Sequence, residues 1–129
     1  MRMNKSGFRP GILAAAALGL FTIAATSAHA APDAEKGKKD FEVCQGCHND
    51  SGRSVGPSLL GVYGRQSGSL EGYKYSPAMK RSKLTWDDKN LHEYIADPQR
   101  KVKANNMAFK GIKSSADIDD LVEYLKTYK

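Results

Sequence analysis

Apolar residues recur along this chain in three rhythms, and each rhythm predicts a different kind of segment. The first is an unbroken run, "GILAAAALGLFTIAA", from Gly11 to Ala25. It follows Arg2, Lys5 and Arg9 with no acidic residue among them, and Ala28-His29-Ala30 behind it is a small-x-small cleavage site. A run this short spans a bilayer poorly, so residues 1–30 read as a cleaved secretory signal peptide and 31–129 as the mature domain. The alternative is a retained anchor, which purified protein still carrying 1–30 would reveal.

The second rhythm is helical. Ser114 and Asp117 stand in capping-box spacing ahead of Ile118, Leu121, Val122 and Leu125, joined by Tyr124 and Tyr128, and predict an amphipathic terminal helix. "TWDDKNLHEYIAD" places Leu91, Tyr94 and Ile95 on one face, with Thr85 and Asp88 as a second capping box and Pro98 as the stop. In "DAEKGKKDFEVCQGCH", Asp33 caps a helix that carries Phe41 and Val43. "SPAMKRS" puts Pro77 behind the cap residue Ser76 and predicts one short helix.

The third is no rhythm at all. Residues 49–73 hold glycines at 52, 56, 61, 64, 68 and 72 and read as loop, and "QRKVKANNMAFKGIK" from Gln99 is irregular too. No alternating strand pattern, repeat or linker stands out. The class is all-α, with loops as long as the helices, and a glycine-rich loop of that length fits a small domain only when it wraps something.

Composition changes the picture in two ways. Without the leader 99 residues remain, near the lower end of what buries a sufficient core unaided, so an additional stabiliser is expected. The leader also removes three basic residues and no acidic one, which reduces the formal charge from +6 to +3. That is too mild to argue for nucleic acid. Export further implies an oxidising compartment, the periplasm, where two cysteines pair or are consumed by other chemistry.

Both cysteines lie in "VCQGCHND", residues 43–50. A thioredoxin-like dithiol expects a βαβ context, which is missing here, and a structural zinc site would have to recruit His92 as fourth ligand to Cys44, Cys47 and His48. Covalent attachment of one c-type haem explains more, because C-x-x-C-H is its signal. Cysteines at i and i+3 share a helix face, so both sulfurs reach one porphyrin, and the next residue, His48, can offer an imidazole to the iron. For a second axial ligand the mature chain offers Met79, Met107 and His92. Met79 reads as a core filler. Met107 lies in the irregular basic stretch, where helix periodicity does not explain its burial.

From Gly37 to Tyr124 the chain resembles the class I cytochromes c, through "CQGCH", "GPSLLGVYGRQSG", "YKYSPAMK", "LTW", "EYIADP", "MAFKGI" and "DLVEYLK" in that order. The resemblance implies the cytochrome c fold, with the first and last helices crossing at Gly37 and Phe41 against Leu121 and Tyr124. It implies His48 and Met107 as the iron ligands, with Phe109 following in the methionine motif, and Pro57 as the carbonyl partner of His48. Arg65, Tyr75 and Trp86 match positions around the haem propionates, and Tyr94 one near the methionine sulfur. Two residues depart from the pattern. Asn105 stands where a threonine commonly bonds a propionate, and Met79 replaces a commonly polar residue, so a more easily displaced methionine loop is expected.

A closed His/Met iron implies a soluble, monomeric carrier of single electrons rather than an enzyme. A peroxidase or gas sensor would want a distal histidine or arginine that the sequence does not supply. Arg100, Lys101, Lys103, Lys110 and Lys113 bracket Met107, with Lys74, Lys80, Arg81 and Lys83 as a second cluster, while Asp117, Asp119, Asp120 and Glu123 gather on the last helix. Redox partners with an acidic docking surface are therefore expected.

Overall fold

The chain makes its first turn because Asp33 accepts hydrogen bonds from the N–H groups of Glu35 and Lys36 at 2.9 and 3.3 Å, as its position before an apolar run predicts. The computed structural model describes residues 30–51 and 53–129, so the expected leader lies outside the described residues except for Ala30. Six helices follow: α1 Ala34–Asp40, α2 Glu42–Gln45, α3 Pro77–Ser82, α4 Asp88–Ala96, α5 Pro98–Lys101 and α6 Ser115–Thr127. Among the described residues the architecture is helical, with one isolated antiparallel bridge between Gln66 and Thr85.

Local chemistry explains most of the helix ends. Ser76 Oγ accepts from Met79 N–H at 3.1 Å with Pro77 in the first turn, and Ser114 Oγ accepts from Asp117 N–H at 3.3 Å. Only half of the Ser114 and Asp117 capping box is used, because the Asp117 carboxylate turns to Lys36 Nζ, 2.7 Å away. The Thr85 and Asp88 box does not form. Thr85 is held extended by its bridge to Gln66, and Asp87 caps α4 instead, accepting from Asn90 N–H at 2.8 Å. Asp88 meanwhile accepts from Tyr63 Oη at 2.8 Å and pairs with Lys126 at 2.7 Å. Pro98 does end α4, and it also starts α5, whose cap is Asp97.

α6 is the hub of the packing, against α1 on one side and α4 on the other. Gly37 makes the α1 crossing possible: a Cβ there would lie 1.9 Å from the carbonyl oxygen of Asp120. Beside it Phe41, fully buried, packs its ring 5.2 Å from that of Tyr124 and 4.9 Å from that of Tyr128. Lys36 Nζ ties the helices together at 2.7 Å from Asp117 and 2.8 Å from Asp120. Ile118, Leu121, Val122 and Leu125 of α6 join Leu91 and Ile95 of α4 in the core. The crossing of first and last helices, with Gly37 and Phe41 against Leu121 and Tyr124, is thus as expected.

The long loop is fastened at its middle. Ser67 N–H donates to Leu84 O, Trp86 N–H to Arg65 O and Gly64 N–H to Trp86 O, at 2.7, 2.9 and 2.9 Å. These bonds hold residues 64–67 beside 84–86 and bring Arg65 and Trp86 to one side of the fold. The far end is fastened by Asp50, which accepts from Ser58 Oγ at 2.6 Å and Tyr128 Oη at 2.7 Å.

Candidate functional site

Between the helices and the long loop lies a mainly apolar cavity of about 300 Å³. The site residues that the resemblance implies line it: Cys44, Cys47 and His48 at the end of α2, Pro57 and Arg65 on the loop, Tyr75 and Trp86 flanking α3, Tyr94 on α4, and Met107 and Phe109 beyond α5. Met79 lines it as well and is buried, in keeping with a core filler. His92 lies elsewhere, with Nε2 3.0 Å from Ser115 Oγ and 3.5 Å from Asp119, so the four-ligand zinc site has lost its fourth member.

The first wall is a single helical turn. Cys47 N–H and His48 N–H both donate to Cys44 O, at 3.1 and 2.9 Å, which stacks the two thiols and the imidazole in successive positions. The cysteines are not joined to each other. Burial, with the neighbouring Cys47 adding to it, pushes the Cys44 thiol up to about 11, the opposite of the lowered value that a dithiol oxidoreductase needs.

His48 is oriented from behind. Its Nδ1 lies 2.8 Å from Pro57 O, and a carbonyl oxygen only accepts, so Nδ1 carries the proton and Nε2 keeps its lone pair for another partner. Gly56 makes room for this arrangement, since a Cβ there would lie 2.5 Å from His48 Cε1 and 2.6 Å from Nδ1.

The remaining polar groups meet the apolar wall in different ways. Arg65 donates from Nη1 to Leu60 O at 3.0 Å and from Nη2 to Ser58 O at 2.8 Å, which leaves the rest of its five N–H donors free. Trp86 and Tyr94 pack with ring centroids 5.0 Å apart. Burial pushes the Tyr94 phenol well above its usual range and raises Tyr75 too, where the Arg65 charge works against it. Asn105 is the exception: it is buried but does not line the cavity.

A family profile described as cytochrome c matches residues 34–129, the whole of the helical domain. The chain belongs to the cytochrome c family. It is 41% identical over 114 residues to cytochrome c2 of Blastochloris viridis, an alignment that covers 85% of this chain and 90% of that one. It is 43% identical over 99 residues to cytochrome c-550 of Nitrobacter winogradskyi, covering 74% and 91% of the two chains. Among solved structures, cytochrome cH from Methylobacterium extorquens superposes with a TM-score of 0.71 at 45% identity, covering 74% of this chain and 98% of that one. With the family come the cytochrome c fold, covalently bound haem c and electron transfer with redox partners.

The residues of this cytochrome fit that group. One cavity collects two thiols, an imidazole whose free lone pair is on Nε2 and the thioethers of Met79 and Met107, inside walls built mainly of aromatic and aliphatic side chains with Arg65, Ser76 and Asn106 among them. Several contributors escaped the sequence reading. Gly56 acts through the ring of His48, and Asp50 through Ser58, next to Pro57; only the Gly-Pro dipeptide hinted at either. Val43 and Val55 line the cavity yet are 65% and 79% exposed, which marks its mouth.

Proposed function

We propose that this cytochrome is a periplasmic carrier of single electrons, in which Cys44 and Cys47 hold the haem by thioethers and His48 and Met107 ligate its iron. The observation that carries the reading is the convergence of these four side chains on one apolar cavity, with the His48 tautomer set by Pro57 O. When bound, the haem iron supplies a one-electron couple. The chain does the rest. Pro57 fixes the imidazole, and the Trp86 and Tyr94 rings exclude water. Their dry surroundings and a thioether ligand favour the less charged ferrous state, so the potential is positive. Two fixed protein ligands leave no open position, which accounts for a carrier rather than an enzyme.

Residues 1–30 are removed on export in this reading, and the mature protein works as a monomer. Its exposed basic residues Arg100, Lys103, Lys110 and Lys113 flank the segment carrying Met107 and suit a partner with an acidic surface. The acid on α6 is weaker than its sequence suggests, because Asp117 and Asp120 are paired with Lys36, and Glu123 with Lys126. Carbon monoxide tests the closed iron. The reduced wild-type protein should not take it up, while Met107→Ala should bind it readily; equal uptake by both would refute Met107 as ligand.

A further inference from the structure

The methionine loop departs from the family pattern at Asn105, and the side chain there is occupied in a way the resemblance does not imply. Asn105 is 7% exposed and turned away from the cavity. Its Nδ2 donates to Pro98 O and to Val102 O, both at 2.8 Å, and its Oδ1 accepts from Met107 N–H at 2.7 Å. Gln99 reinforces the same join, with Nε2 3.1 Å from Asn105 O and 3.3 Å from Met107 O.

We propose that Asn105 is a positioning residue: it locks the methionine loop onto α5 and so holds the Met107 thioether in place as a ligand. The proposal rests on the reading of Met107 as the distal ligand. α5 is a single turn in which Pro98 O already accepts from Val102 N–H at 3.0 Å, and Val102 O, just past its end, accepts from Asn105 N–H at 3.2 Å. The Asn105 side-chain nitrogen adds a second hydrogen bond to each of these carbonyls while its oxygen fixes the Met107 backbone, so one side chain ties the loop to both ends of the turn and places the ligand. A threonine hydroxyl can accept from an N–H but has one proton to donate, so it could not hold both carbonyls at once. The preceding Ala104 is held at φ +65°, a left-handed conformation unfavourable for a residue with a Cβ, and the bonds on either side keep the turn there. The expectation of a readily displaced methionine therefore reverses.

Imidazole provides the test, because it competes with the Met107 sulfur and its apparent affinity rises with the fraction of molecules in which the loop is open. Ferric Asn105→Ala should keep the far-red sulfur-to-iron band without imidazole, yet bind imidazole roughly tenfold more tightly than wild type. Lys36→Ala, which weakens the distant helix crossing, should leave the imidazole affinity unchanged. Wild-type affinity in Asn105→Ala, with the band present in wild type and lost in Met107→Ala, would overturn the proposal and leave the ligand assignment standing. If Met107→Ala has the wild-type spectrum, the ligand assignment fails and the proposal falls with it. Should Asn105→Ala not fold, hydrogen exchange on the wild-type holoprotein decides. Protection of the Met107 amide supports the lock, and exchange at the rate of an unstructured peptide overturns it.

Discussion

At the scale of single residues, His48 depends on neighbours that look incidental in the sequence. A methyl group at position 56 would displace the imidazole from Pro57 O, because it would lie 2.6 Å from Nδ1. The lost hydrogen bond lowers the basicity of the ring and its support of the ferric state. Gly56→Ala should therefore raise the midpoint potential, on the order of tens of millivolts for a bond of about 1 kcal/mol. Redox titration measures it, and an unchanged potential would mean that the Pro57 contact does not tune the iron. The gathering of Cys44, Cys47 and His48 on one wall of the cavity was legible because their spacing puts them on one helical turn. The hydrogen bonds of Asn105 were not, since its partners Pro98 and Val102 belong to a one-turn helix and its cap, which leave no periodic trace in the sequence.

At the scale of elements, the α1 and α6 crossing holds the two ends of the helical domain together. Gly37→Ala drives a Cβ into the Asp120 backbone, a clash that no rotamer relieves, and should cost about 3 kcal/mol. Chemical denaturation should show the loss as a lower midpoint, and an unaltered midpoint would mean that the helices do not cross here. The Lys36 cluster adds a pH dependence. Its hydrogen bonds hold the carboxyls of Asp117 and Asp120 below their ordinary range, and the same bonds raise the lysine. Depressed carboxyls contribute stability above the unfolded value near pH 4 and lose it as pH falls through their folded values. The raised lysine keeps its contribution until well above pH 10. Lys36→Met should thus melt lower than wild type at pH 7, with the gap closing in strong acid; a gap constant down to pH 2 would contradict the pairing. Helix starts at Asp33, Ser76 and Ser114 were legible because a cap is a local contact. The start of α4 was not, since the remote Gln66 keeps Thr85 extended.

At the scale of the whole molecule, a small helical domain with long loops gains its missing core from what the loops enclose. The glycine-rich segment announced this by its length, but not the fastening of residues 64–67 beside 84–86, which rests on backbone groups and carries no side-chain signature. Charge also acts at this scale. Basic residues around Met107 are exposed while much of the acid on α6 is paired, so an anionic oxidant such as ferricyanide should react more slowly as salt is added. A rate independent of ionic strength would remove electrostatic steering from the picture. The proposed carrier depends on an iron closed by His48 and Met107. The measurement to make is the absorption spectrum of the ferric holoprotein beside its Met107→Ala variant. A weak far-red sulfur-to-iron band in wild type, absent from the variant, is the expected result. A high-spin ferric spectrum without that band in either protein would contradict the closed carrier and point to an iron open to ligands.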